Sequence, residues 1–276
     1  MPLPPVLTVG ALYAGSERGL TADLLAARAL QLAPLPVCTQ LVMAGKGLVT
    51  DVTDVPTDTV GAQIEHTLAT GPVAGVKVGI LASHHTARVV LDAVRDLGVP
   101  LVLDVVASGP SGETVLTSQG IDAVSERLDV ATVVTLSRRD AELVTGGEIA
   151  SLDDAQVAAQ RVTNRGARAV VVRCGSLPYR FYDAADDPGT PSGDGAPAAH
   201  AFDLFYDGED FALFEAPLID GTTPDGASSA FSLAILRGLV AGESLEVSLQ
   251  QAKRYATESI RQRTDDDRLH YAWDAS

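Results

Sequence analysis

The chain has 276 residues, with 36 Asp and Glu against 20 Lys and Arg, and a formal net charge of -16 at pH 7. Charge of that sign repels phosphate backbones and anionic lipid, so no nucleic-acid and no membrane partner is expected. Apolar residues make up 46% and charged residues 20%, which excludes an acidic disordered chain and suits one large α/β domain that needs no disulfide or metal staple.

The elements follow in chain order. Pro5 to Ala11 reads as a strand, and Leu20 to Leu32 as an Ala/Leu-rich helix with Thr21 at its N-cap. Val37 to Val42 is a second strand, Asp58 to Leu68 repeats apolar positions at helical spacing, and Val76 to Ile80 is a buried strand. His84 and His85 read as a surface turn, followed by a helix from Thr86 to Leu97 that Gly98 and Pro100 stop. Pro100 to Val106 is almost wholly apolar, as central parallel strands are. Gln119 to Leu128 is helical, Ala131 to Leu136 a strand, Leu152 to Arg165 a helix and Ala169 to Arg173 a strand.

This alternation predicts an α/β fold with a mostly parallel central sheet and helices on both faces. A polar insertion over about 183–200 is expected as a flexible loop. Asp207 to Asp210 separates two β-like runs as a hairpin turn would. Helices follow from Ala227 to Leu239 and Leu245 to Ile260, and a polar tail over about 262–276. No linker divides the chain, so 1–276 is expected to be a single domain.

Two cysteines, Cys38 and Cys174, form no disulfide framework, and the five histidines show no HxxxH or HExxH spacing. With no signal peptide expected and no apolar run of membrane-spanning length, the expected location is cytoplasmic.

The strongest chemical feature is DGTTPDGASS, 220 to 229, opening a helix. Backbone N–H groups and the dipole of a helix start can hold a phosphate. The plainer reading makes Asp225 or Ser228 an ordinary N-cap. Asp104 ends a buried strand, where a sheet of this kind gathers ligands, and it orients a metal or substrate or caps the next turn. Ser137 and Asp140 leave their strand at the same end, in a Ser-x-x-Asp capping pattern. Lys77, inside an apolar strand, must be paired or snorkel. No Walker A, GxSxG or GxGxxG motif occurs.

The order of motifs resembles the hydroxymethylpyrimidine and phosphomethylpyrimidine kinases of thiamine synthesis, of the ribokinase-like fold, with pyridoxal kinases as relatives. The resemblance runs from about Leu7 to Ile260. It rests on LTVGALYAGSERGLTADL (7 to 24), VKVGILAS (76 to 83), LVLDVVASGPSG (101 to 112), VVTLSRRDAELVTG (133 to 146), VVVRCG (170 to 175) and the run from Asp225 to Ile260. It implies ATP and Mg2+ at one end of the sheet, a small heterocyclic alcohol beside them, and a homodimer.

By the same resemblance Gly226, Ala227 and Ser228 form the anion hole, and Ser229 stands where the catalytic base belongs. Ser137, Asp140 and Arg173 face the nucleotide, Asp104 and Asp140 the metal, and Tyr13 and Ala44 the substrate. The framework survives at Gly19, Ala22, Asp23, Lys77, Gly79, Asp104, Ala252 and Lys253, while the chemical positions differ together. Ser229 replaces Cys or Asp, and a serine hydroxyl has no accessible conjugate base near neutral pH. Ser228 replaces a glycine, Ala44 a glutamine, and Ala11, Leu12 and Tyr13 a Gly-Ser-Asp. Asp225, with Glu17, sets negative charge against the anion turn. The expectation is therefore an ATP-dependent kinase of altered or weak activity. The alternatives are a catalytically silent homologue that binds a small ligand or a partner, and an enzyme in which Asp225, Asp140 and Asp104 arrange a metal anew.

Overall fold

A computed structural model describes residues 2–45, 48–81, 83–109, 115–177, 200–219, 223–264 and 268–271. Nine strands form one sheet in the order β3-β2-β1-β4-β5-β6-β7-β8-β9. They are β1 (Pro5–Ala14), β2 (Ala33–Gly45), β3 (Leu48–Asp54), β4 (Gly75–Val78), β5 (Leu101–Val105), β6 (Val133–Ser137), β7 (Val170–Gly175), β8 (His200–Tyr206) and β9 (Phe211–Pro217). From β2 to β7 every pairing is parallel. Antiparallel strands β3, β8 and β9 flank that centre.

The helices are α1 (Leu20–Ala29), α2 (Thr57–Ala69), α3 (His84–Val94), α4 (Ser118–Ser125), α5 (Arg138–Thr145), α6 (Leu152–Thr163), α7 (Ala227–Val240) and α8 (Leu245–Arg261). Helices α2 to α6 pack on one face, where Ile64, Leu91, Ala123, Val144 and Val162 meet Leu7, Leu103 and Leu136. Helices α1, α7 and α8 cover the other, where Ala26, Leu233 and Ala252 meet Val6, Val102 and Val171. Burial on both faces explains why the central strands read as continuous apolar runs.

Several expectations are corrected. Thr21 does not cap α1; Gly19 stands at the N-cap with φ 53°. A side chain at Gly19 would overlap the Ala11 carbonyl and approach Tyr13 Cδ2 to 3.1 Å. His84 and His85 are not a turn but the first residues of α3, placed there by Ser83, whose Oγ accepts from Thr86 N at 3.1 Å. Neither Asp225 nor Ser228 caps α7; Gly226 does, at φ 87° and with no side-chain bond. Strand β3 and helix α5 were not anticipated. The first repeats Val-Thr-Asp, with no two-residue apolar alternation, and the second opens on three charged residues, Arg138, Arg139 and Asp140.

Strand β2 begins earlier than Val37 because Pro34 and Pro36 lie where only β1 borders it, so their missing N–H groups cost no ladder bond on the free side. The tail is less polar than expected, since Leu269 is buried in the α7–α8 cluster and Tyr271 packs beside it. The hairpin at Asp207 to Asp210 forms as expected. The insertion falls largely on residues 178–199, which lie outside the described residues, as do Asp265 to Asp267.

Candidate active site

Chain order reverses at the β1–β4 junction, since successive strands run outward from it in both directions. Sheets of this type bind ligands beyond the carboxyl ends of strands at such a point. Here those ends present Ala11 and Tyr13 of β1, Gly79 after β4, Asp104 of β5, Ser137 of β6 and Arg173 of β7 around one cavity of about 350 Å³. The N-terminus of α7 closes its far side with Gly226, Ala227, Ser228 and Ser229. The first bond of the helical ladder is Ala230 N to Gly226 O at 2.9 Å, so the N–H groups of residues 227 to 229 precede it. Ala227 N reaches Pro224 O only at 3.4 Å.

Four carboxylates line the cavity, and each has its own partners. Asp23 accepts both oxygens' bonds from Lys77 Nζ, at 2.8 and 3.0 Å, in a buried pair that meets the requirement for Lys77 to be paired. Asp140 Oδ1 accepts from Ala107 N, Ser108 N and Ser108 Oγ at 2.9, 2.8 and 2.7 Å. Its Oδ2 accepts from Ser137 N and Oγ, and Ser137 Oγ accepts from Asp140 N, so the Ser-x-x-Asp motif is a capping box that also clamps the loop after β5. Asp104 accepts from Thr135 Oγ1 at 2.7 Å and from Ser228 Oγ at 2.6 Å, with Arg173 Nη2 at 3.7 Å.

Asp225 is gripped by Arg18 and accepts from Ser16 Oγ at 2.8 Å. Burial pulls its pKa upward, but the bonds from Arg18 and Ser16 outweigh that and hold it below the usual carboxylate range. Glu17 in turn faces Arg268 at 3.5 Å. The expected clash of these acids with the anion turn is therefore largely cancelled by neighbouring guanidinium groups.

A second cavity of about 400 Å³ shares Ser137, Arg173, Thr223 and Ala227 with the first and runs between β8 and α8. Arg173 thus borders both, and its Nε is buried with no hydrogen-bond partner among the described residues. Lys253 borders the second cavity and pairs with buried Asp203 at 3.0 Å.

The model of the phosphomethylpyrimidine kinase family matches residues 14–273. The chain belongs to that family. It is 29% identical to the hydroxymethylpyrimidine/phosphomethylpyrimidine kinase of Aquifex aeolicus (strain VF5), over 88% of this chain and 89% of that one. Identity to the enzyme of the same name from Rhizobium meliloti (strain 1021) is 30%, over 92% and 89% of the two chains. The structure of the pyridoxal kinase from Staphylococcus aureus in complex with AMP-PCP and pyridoxal superposes with a TM-score of 0.80 at 22% identity, covering 98% of this chain and 93% of that one. The fold is accordingly ribokinase-like.

Within this family frame, the structure brings together Ser229, Gly226, Ala227, Ser228, Ser137, Asp140, Arg173, Tyr13 and Asp104. Ala44 is not in the cavity wall. It packs behind it with Ala11, Tyr13, Val42 and Ile80. Sequence reasoning passed over Arg18 and Asp23 as site residues, although both line the cavity. A signal for Asp23 existed, because a lone acid in an Ala/Leu helix and a lone lysine in an apolar strand each need a buried partner. Arg18 carried none beyond its place in a loop between two glycines.

Proposed function

We propose that this protein transfers the terminal phosphoryl group of ATP to the hydroxyl of a small heterocyclic alcohol. The observation that carries the reading is the pair of joined cavities, meeting at Arg173 and at the start of α7. One compartment would take the acceptor against Tyr13, the other the nucleotide, with the transferred group at the α7 turn. Phosphoryl transfer asks a protein mainly for positioning and charge stabilisation, and a helix start with an adjacent guanidinium supplies both. A pyrimidine alcohol or its phosphate as acceptor is the choice that the relatives' names support.

Mg2+ fits this site only in company with the nucleotide. Among the described residues no group of three His, Cys, Asp or Glu is placed to hold a metal, and both oxygens of Asp104 and Asp140 are engaged. The new metal arrangement by Asp225, Asp140 and Asp104 has no support in this geometry. Magnesium held through substrate phosphates, with one carboxylate assisting, is the ordinary case for such enzymes. It would neutralise charge between the phosphates.

A second reading, a silent homologue that binds a ligand or partner, draws on one observation. Ser229, buried in the wall, puts a neutral hydroxyl where the family resemblance expects an ionisable group. The experiment that separates the two incubates purified protein with Mg-ATP and hydroxymethylpyrimidine, its phosphate, or pyridoxal, and measures ADP. Acceptor-dependent ADP is the expected result. A thermal shift with AMP-PCP but no ADP with any acceptor would establish the silent reading. Absence of both would sink the nucleotide assignment.

A further inference from the structure

We propose that Lys77 selects the acceptor by donating a hydrogen bond to a ring nitrogen of the heterocyclic alcohol. The proposal rests on the phosphoryl-transfer reading above and narrows its acceptor to a ring that carries a lone pair. The end of the cavity beside β1 and β4 is walled by Gly10, Ala11, Tyr13, Gly79, Ile80 and Val106. These residues suit apolar ring surface, and among their side chains only that of Tyr13 carries a polar atom. Charge reaches that end through Asp23 and Lys77, which line the same cavity. The neighbouring guanidinium of Arg18 is closed on Asp225.

Lys77 is only 3% exposed and Asp23 is fully buried. An ammonium has three N–H donors. Asp23 Oδ1 and Oδ2 accept from Lys77 Nζ at 2.8 and 3.0 Å, and they are its only hydrogen-bond partners among the described residues. One donor is therefore left over. Gly79 leaves room beside it, since a Cβ at that position would stand 2.9 Å from Lys77 Nζ. A buried donor without an acceptor carries a desolvation penalty, and a lone pair brought by the ligand removes it.

The pair selects by the direction of the bond. Lys77 offers a donor to a ring nitrogen. An exocyclic amino group, itself a donor, meets no open carboxylate at this end, because both Asp23 oxygens are turned to Lys77. The Ile80 carbonyl already accepts from Thr39 Oγ1 at 3.0 Å. The site thus reads the ring nitrogen and ignores the amino group. A pocket rejects strongly only those analogues that lack a group it was built to bond.

The test is calorimetric titration of three alcohols into the protein with AMP-PCP bound. They are hydroxymethylpyrimidine, its analogue with hydrogen in place of the amino group, and the benzene analogue with CH in place of both ring nitrogens. Loss of the amino group should change Kd less than about threefold, while loss of the ring nitrogens should weaken binding about ten- to hundred-fold, as hydrogen bonds to charged groups do. Lys77→Met with Asp23→Leu exchanges the ion pair for apolar volume, which proteins tolerate better than the loss of one partner. That variant should bind the pyrimidine and benzene alcohols within about threefold of each other. Equal binding of the two rings by wild type overturns the assignment, as does failure to bind any of the three. A preference that survives in the double variant overturns it too, and so does a loss of about tenfold with the amino group alone. Should the variant not fold, the wild-type series decides. ADP formation from Mg-ATP is measured beside the titrations. If the binding order holds and no ADP forms, the phosphoryl-transfer reading falls while Lys77 keeps its role toward a bound heterocycle.

Discussion

Arg18 closes on Asp225 across the mouth of the α7 turn. The two residues come from the loop after β1 and the approach to α7, and Ser16 adds a bond at 2.8 Å from the same loop. A carboxylate that by sequence alone opposes an anion is here the anchor that fastens one wall of the cavity to the other. The chain's net charge of -16 therefore says little about the charge a phosphate would meet.

If Arg18 is the counter-charge, Arg18→Met should weaken AMP-PCP binding about five-fold, matching the roughly 1 kcal/mol of a partly exposed pair. Arg18→Met combined with Asp225→Asn should return most of the affinity. Calorimetric titration reads both. If the combined variant is as weak as Arg18→Met, the guanidinium itself contacts the ligand and is not a shield.

The same pair sets an acid dependence. The Asp225 carboxyl is held below its usual range in the folded protein, and about 3.9 is the unfolded value of an aspartate. Its contribution is thus fully present above that unfolded value and is lost as pH falls through the lower folded one. Urea unfolding of wild type and Asp225→Asn over a pH series should give a stability gap that closes in acid. A gap independent of pH would show that the pair contributes through packing alone.

The parallel core was legible because burial on both faces puts Val or Leu at most positions of the central strands, most plainly in β5 (LVLDV) and in the Val-Val-Val that opens β7. Flanking β3 was not, because much of its surface is exposed and its side chains need not be apolar. In the site, position in a motif located Ser137, Asp140, Arg173 and the α7 turn. It could not locate their partners. That Asp140 clamps Ala107 and Ser108, or that Ser228 reaches Asp104 across 124 residues, depends on how β5, β6 and α7 converge, and no local pattern encodes that.

Lys253 and Asp203 join α8 to β8 through a buried ion pair. Burial raises the pKa of Asp203, and the charge of Lys253 opposes that rise. Removing one partner leaves an uncompensated charge, so Lys253→Met should cost about 3–5 kcal/mol. Lys253→Met with Asp203→Leu should recover most of the loss in chemical denaturation. Equal loss in both variants would mean that the lysine stem, not its charge, supports the contact.

Gly226 carries two separate demands. Its φ of 87° suits glycine, and a side chain there would overlap Tyr271 Oη while pressing on Ala22 Cβ and Glu17 O, both at 3.1 Å. Gly226→Ala should therefore lower the melting temperature through backbone strain, about 1–2 kcal/mol, and through the overlap. Adding Tyr271→Phe removes the hydroxyl and should return the second part only. The phenol has no hydrogen-bond partner among the described residues, so Tyr271→Phe alone should cost little. A double variant no more stable than Gly226→Ala would assign the whole penalty to the backbone. It would also mean that the tail at Tyr271 yields to the turn instead of bracing it.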